Sequence, residues 1–154
     1  PDAVLEAKLQ ALELLVRKYT NNNFQDRRFR TIGEAKGDQL TVANSAFFNV
    51  EDTIMIEGDL CTIKSVDGDT ITIDRWLFPD DKCLVTKVVY PMDVKMGVVN
   101  MMQWDMENRD KVGIQSETIS RHSVTYFNLD GDNSTIGFPK SLIGFLKPYK
   151  KARF

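Results

Sequence analysis

Histidine and cysteine are nearly missing from this chain of 154 residues, which has one of the first and two of the second. Metal centres and nucleophilic triads draw on those residue types, so there is little material for either. His122, flanked by Ser120 and Ser123, has no orienting third group marked by spacing and no nucleophile-elbow glycine pattern beside it. It reads as a surface or interface hydrogen-bonding group. Cys61 and Cys83 fall in separate apparent strands without CxxC or Cys/His spacing. That predicts small buried side chains in a reducing compartment rather than a disulfide. The glycines are scattered and none precedes a Lys-Ser/Thr pair, which removes the phosphate-binding loop. Asp130-Gly131-Asp132-Asn133 lacks the ligand order and terminal Glu of a calcium loop and reads as a turn. No catalytic residue, cofactor or metal site is expected, and the chain is not expected to be an enzyme.

Long apolar runs are also lacking, and none approaches the roughly 20 residues of a membrane helix. The opening PDAVLEAKLQ has neither a cationic region nor an apolar signal core. It predicts no export, with Pro1 following a removed initiator Met. With 42% hydrophobic and 27% charged residues the composition is that of a globular protein. Its length suits one domain of ordinary size, able to bury roughly 70% of the surface of the unfolded chain.

A formal net charge of −2 opposes a dedicated nucleic-acid binder, whose affinity would come from many Lys and Arg neutralising phosphates. The charge is uneven. Residues 33–85 carry eleven Asp and Glu against four Lys and Arg, whereas residues 139–154 carry five cations and no anion. Such polarity suits a protein with two different faces.

Leu5, Leu9, Leu12, Val16 and Tyr19 draw one apolar stripe along a predicted first helix, with Asp2 as its cap and Asn21–Asn23 as its stop. A second helix is predicted from Pro91 through MDVKMGVVNMMQWDMENRD. On it Met92, Met96, Val99 and Met106 hold one line and Val94, Val98 and Met101 another, so more than one side is expected to be covered. Core packing and a subunit interface are the two readings of this Met-rich helix.

Between the helices the period becomes alternating, with strands expected near 28–32, 40–43, 53–57, 60–65, 70–74 and 83–89 and a hairpin at Asp67-Gly68-Asp69. Ile54 with Ile56, and Ile71 with Ile73, share a face each. The expected fold is α+β. Residues 1–27 and 90–154 form a small helical bundle of two longer helices and a short C-terminal helix, ending in an extended tail. Residues 28–89 form an inserted small sheet or barrel, whose ends must lie close together. Trp76 reads as the barrel's closing plug. As a base-stacking platform with Phe78 it would be opposed by the surrounding acids Glu57, Asp59, Asp67, Asp69, Asp80 and Asp81. Trp104 reads as a core or interface anchor.

Two further stretches bear on partners. VGIQSETISRHSVTYF, residues 112–127, reads as extended and polar, able to add to the sheet edge of another subunit. GFPKSLIGFLKPYKKARF, residues 137–154, places the apolar turn Leu142, Ile143, Phe145 and Leu146 before Pro148, which should stop it, and a cationic, aromatic ending after. The turn either docks on the chain's own core or buries in something else, and the ending is expected to do the latter.

VRKYTNNNFQ closing the first helix, the Met-rich second helix, GIQSETISRHSVTYF and GFPKSLIGFLKPYKKARF together resemble head-tail connector proteins of tailed bacteriophages. The resemblance is strongest over 113–127 and 137–154, while the β-rich insertion departs from the mostly helical members. It implies an adaptor in the virion neck, assembled in the host bacterial cytoplasm. The adaptor would form a homo-oligomeric ring, commonly twelvefold in the family, beneath the portal protein. The ring would surround passing DNA without reading it and offer a platform to stopper or tail-side proteins. It further implies portal binding through Leu142 to Phe154. Phe145, Leu146, Tyr149 and Phe154 would be apolar anchors, and Lys147, Lys150, Lys151 and Arg153 would pair with acidic portal groups. Ser116, Glu117, Thr118, Ile119, Ser120, Arg121 and His122 through Tyr126 would lie along the adjacent subunit and close the ring. The acidic insertion is expected to face outward; facing the channel, it would keep DNA from sticking. The rival readings are a stopper or tail-completion protein of the same neck and, from another class, a nucleic-acid-binding module gripping phosphate with its basic tail.

Overall fold

The computed structural model describes residues 2–111, 116–119, 122–125 and 134–153. The chain divides into two compact units, residues 23–89 and residues 1–22 with 90–154.

The β unit consists of β1 (Gln25–Val42), β2 (Thr53–Ile56), β3 (Asp59–Asp67) and β4 (Thr70–Val88), all pairs antiparallel, in the order β1-β4-β2-β3. Glu57 and Gly58 take φ +48° and +101° between β2 and β3, the left-handed pair that a two-residue hairpin with the sheet's twist demands. Gly68, at φ +58°, turns β3 into β4. The first part of β4 pairs with β3, matching Ile63 to Ile73, and its last part pairs with β2, matching Ile56 to Val85. The three strands thereby close a circuit around one core. β1 lies along β4 throughout and bends back on itself, since the Ala43 N–H donates to the Ile32 carbonyl at 3.0 Å.

Alternation along these strands sends Ile54, Ile56, Ile71 and Ile73 inward to join Leu40, Ile63 and Val85, all buried. Each such side chain contributes about 1.5–3 kcal/mol of hydrophobic stabilisation. Cys61 and Cys83 are free and buried in the same core. Burial pushes the Cys61 thiol up to about 11 and raises Cys83 as well, which leaves both unreactive at neutral pH. At the base of the unit the Val89 N–H donates to the Phe24 carbonyl at 2.9 Å, tying the two ends together.

The other unit holds α1 (Asp2–Thr20), α2 (Met92–Asn108), the hairpin β5 (Ser116–Ile119) and β6 (His122–Thr125), and the short pair β7 (Ser134–Thr135) and β8 (Phe138–Pro139). Leu12, Val16 and Thr20 of α1 and Val94, Gly97 and Met101 of α2 are buried, as are Phe138, Ile143 and Leu146. The inner line of α2 is therefore the Val94 and Met101 line. The outer one, Met92, Met96, Val99 and Met106, is exposed.

The expected helical bundle with an inserted small sheet is overturned. The molecule is mainly sheet, with an N-terminal helix, a four-stranded antiparallel sheet and a second helix. Its strands are longer than the alternating patches suggested, 18 residues in β1 and 19 in β4, because backbone pairing continues through stretches of charge, Gly and Pro that lack large apolar residues. The expected third helix is a six-residue 3-10 turn, Gly144–Tyr149, and Pro148 sits inside it rather than ending it. Trp76 is no plug: it is 76% exposed, and its ring rests on Gly37, whose φ is +69°.

Candidate interaction surface

α1 ends at Thr20, whose hydroxyl donates to the Val16 carbonyl at 2.7 Å, and Asn21 follows at φ +50°, a left-handed position that Asn tolerates. The following asparagine and its neighbours clasp the C-terminal segment. The Asn22 amide donates to the Tyr149 carbonyl at 3.1 Å, and the Asn21 amide to the Ala152 carbonyl at 2.9 Å. The Lys151 N–H donates to the Thr20 carbonyl at 2.8 Å, and the Arg153 guanidinium to the Lys18 carbonyl at 3.0 Å. Residues 149–153 are thus laid along the end of α1, satisfying carbonyls that a helix C-terminus leaves open.

This clasp sorts the predicted portal-binding residues. Leu146 is fully buried in its own unit, and Phe145 packs its ring on Gly97, so neither is a free anchor. Leu142 is half-buried. Tyr149 donates its hydroxyl to the Asp93 carboxylate, with both oxygens 2.8 Å away, and that bond raises its pKa. Lys147, Lys150, Lys151 and Arg153 are exposed. The Lys150 ammonium lies 3.9 Å from the Tyr19 ring centroid, a cation–π contact that holds it over the end of α1. Phe154 lies outside the described residues.

Of the predicted inter-subunit residues, Ser116, Glu117, Thr118 and Ile119 form β5, and His122 opens β6 opposite Ile119. Ser120, Arg121 and Tyr126 lie outside the described residues, as do Asp130 to Asn133. The two strands pair with each other along Ser116↔Thr125 to Ile119↔His122.

Beside the clasp, an apolar cavity of about 280 Å³ opens between the two helices, lined by Leu9, Val16, Val94, Val98 and Val99, with Glu13, Tyr90 and Lys95 also on its wall. Burial raises the pKa of the Tyr90 phenol, and its 2.5 Å hydrogen bond to Glu13 raises it further, so the phenol keeps its proton at neutral pH. Among the described residues no group of three or more His, Cys, Asp or Glu is placed to hold a metal ion, and no helix is long and apolar enough to cross a membrane.

Asn21 and Asn22 thus do more than stop the helix, because their amides also hold the C-terminal segment. Their signal was the unusual run of amide side chains, which can both end a helix and donate to a passing strand. No protein-family model matches the chain, and no curated protein matches it.

Proposed function

We propose that the chain is a structural protein of a phage virion, a head-tail connector adaptor that assembles as a ring beneath the portal and carries stopper or tail proteins on its other side. The observation that carries this reading is the clasped C-terminal segment. Four exposed cations, Lys147, Lys150, Lys151 and Arg153, stand on a backbone fixed to α1, with no acidic residue in residues 139–154. A strip held in place before docking loses little conformational entropy on meeting an acidic surface, which favours it over a loose tail. Ring multiplicity then turns weak single contacts into a lasting joint. In this form of the reading the cations and the Tyr149 edge face the portal, and Leu146 and Phe145 hold the strip in place from beneath.

The test is co-sedimentation with the cognate portal oligomer. Truncation after Pro139 would remove the buried Leu146 and unfold the unit, so Lys147→Glu/Lys150→Glu/Lys151→Glu is the better variant. Wild-type protein stacked as a ring on the portal, and loss of that stacking in the triple variant, is the expected result. A wild type that stays in the supernatant defeats the reading. Binding to DNA instead, with a salt slope near that of about four phosphate contacts, would favour the nucleic-acid rival.

A further inference from the structure

The β unit carries two exposed ends of opposite character on one ribbon. Beyond the rungs Thr31↔Val85 to Gly33↔Cys83, β1 and β4 continue into an arm where Ala35 meets Asp80 and Gly37 meets Leu77. On this arm Trp76 and Phe78 are 76% and 89% exposed. They are two residues apart on one strand, so they share its outer face. Glu34, Asp38, Asp80 and Asp81 stand exposed on the same arm against exposed Lys36 and Lys82, which leaves it acidic on balance.

On the other side of the same rungs the ladder steps from Gln25↔Val88 to Arg30↔Thr86, leaving residues 26–29 as a bulge. Bulges re-aim side chains. Here Phe29 turns toward Phe47, 5.7 Å between ring centroids, and Arg27, Arg28 and Arg30 are exposed. Asp26 accepts bonds from the Arg28 backbone and guanidinium at 2.7–3.0 Å and stiffens the bulge. Arg30 donates to the Thr86 hydroxyl at 3.2 Å.

We infer that these two ends bind each other between copies of this chain, the aromatic, acid-rimmed arm of one β unit seating against the arginine bulge of the next. Charge complementarity selects a second copy as the occupant, since the acidic arm and the cationic bulge lie on one chain. Trp and Arg are also the side chains most often found at the energetic centre of interfaces. Because the two patches differ, the contact is head-to-tail, the kind that propagates and closes into a ring. The inference rests on the ring assembly proposed above and names the surface that would close it. It uses no residue of the C-terminal strip.

Sedimentation velocity of the full chain at low salt tests it, with three variants. Asp80→Lys/Asp81→Lys reverses the arm, Arg27→Glu/Arg28→Glu reverses the bulge, and Phe78→Ser removes an anchor that touches little of the fold. Each is expected to weaken self-association at least tenfold while circular dichroism is unchanged. Mixing the two reversed variants in equal amounts is expected to restore it, because the bulge of one then faces an acidic arm and its cationic arm an acidic bulge. A wild type monomeric at the highest concentration reached, variants that assemble as the wild type does, or a mixture that stays monomeric would each overturn the inference. Portal co-sedimentation of the same proteins keeps the two ideas apart. Docking by a wild type whose self-association ignores the reversals sinks the inference and leaves the adaptor reading standing, whereas assembly through these ends without portal docking does the opposite.

Discussion

The ring of Phe145 lies across Gly97 of α2, in the space that a Cβ at that position would occupy. Glycine in a helix interior costs about 1 kcal/mol against alanine, so its presence there answers a packing demand. The 3-10 turn can reach the helix only because this residue has no side chain.

Gly97→Ala should therefore cost about 1–3 kcal/mol through overpacking, in spite of its better helix propensity. Urea unfolding measures it. Gly144→Ala, whose added carbon meets nothing within 4 Å, serves as the control and should stay within about 0.5 kcal/mol. Phe145→Leu in the Gly97→Ala background should recover part of the loss. A Gly97→Ala variant as stable as the wild type would remove the contact from the account.

Leu146 and Lys147 are neighbours with opposite duties, the first fully buried and the second exposed. Leu146→Ala should cost about 2–5 kcal/mol, the range for a buried leucine that leaves a cavity. Lys147→Ala should change stability by no more than about 0.5 kcal/mol. Equal effects from the two would mean that the segment is not anchored through its apolar turn.

The helices were legible in the sequence because their apolar periods are long, and both lines on α2 were visible as lines. Which line faces inward was not, since Met92 and Val94 are equally apolar as residues and only the position of the Phe145 turn decides. On α1 only the second half of the stripe is covered: Leu12 and Val16 are buried, but Leu5 and Leu9 are 39% and 48% exposed. The paired isoleucines Ile54 with Ile56 and Ile71 with Ile73 could be placed from alternation alone. The long course of β1 and β4 could not, because along residues 33–38 the inward positions are Gly33, Ala35 and Gly37, too small to draw a hydrophobic period against Glu34, Lys36 and Asp38. The C-terminal clasp escaped for a related reason, as Asn21 and Asn22 hold main-chain atoms more than a hundred positions away. Turn chemistry fared better at Gly68 than at Glu57-Gly58, where the first residue is not a typical left-handed one.

Asp105 supplies a pH dependence of known sign. Burial works to raise its pKa, but hydrogen bonds from Lys8, at 3.0 Å, and from Arg109 outweigh it and hold the carboxyl below its ordinary value. A carboxyl lowered in the folded state contributes stability above the unfolded pKa, near 4, and loses it as pH falls through the folded one. Both cationic partners are more than a third exposed, so solvent screening leaves about 1 kcal/mol. Unfolding free energy followed from pH 6 down to about 2 should fall more steeply for the wild type than for Asp105→Asn. Parallel curves would exclude Asp105 as a contributor.

Ile136 presents the opposite case, a residue whose own conformation works against stability. With Gly137 it forms the two-residue turn from β7 to β8, and the pair takes φ +54° and +78°. Glycine accepts that region freely, and asparagine tolerates it, whereas a left-handed L-residue costs about 1–2 kcal/mol, with a β-branched side chain at the upper end. Ile136→Asn recreates the Asn-Gly pair favoured in such turns. It should raise stability by about 0.5–1 kcal/mol in urea unfolding, less than the whole strain because the isoleucine is half-buried. Ile136→Val should give no gain, since it keeps the branch. A destabilised Ile136→Asn would mean that the packing of this side chain exceeds the strain. A stabilised variant that no longer sediments with the portal would instead identify Ile136 as a residue retained for binding, because strain that folding does not require persists where function does.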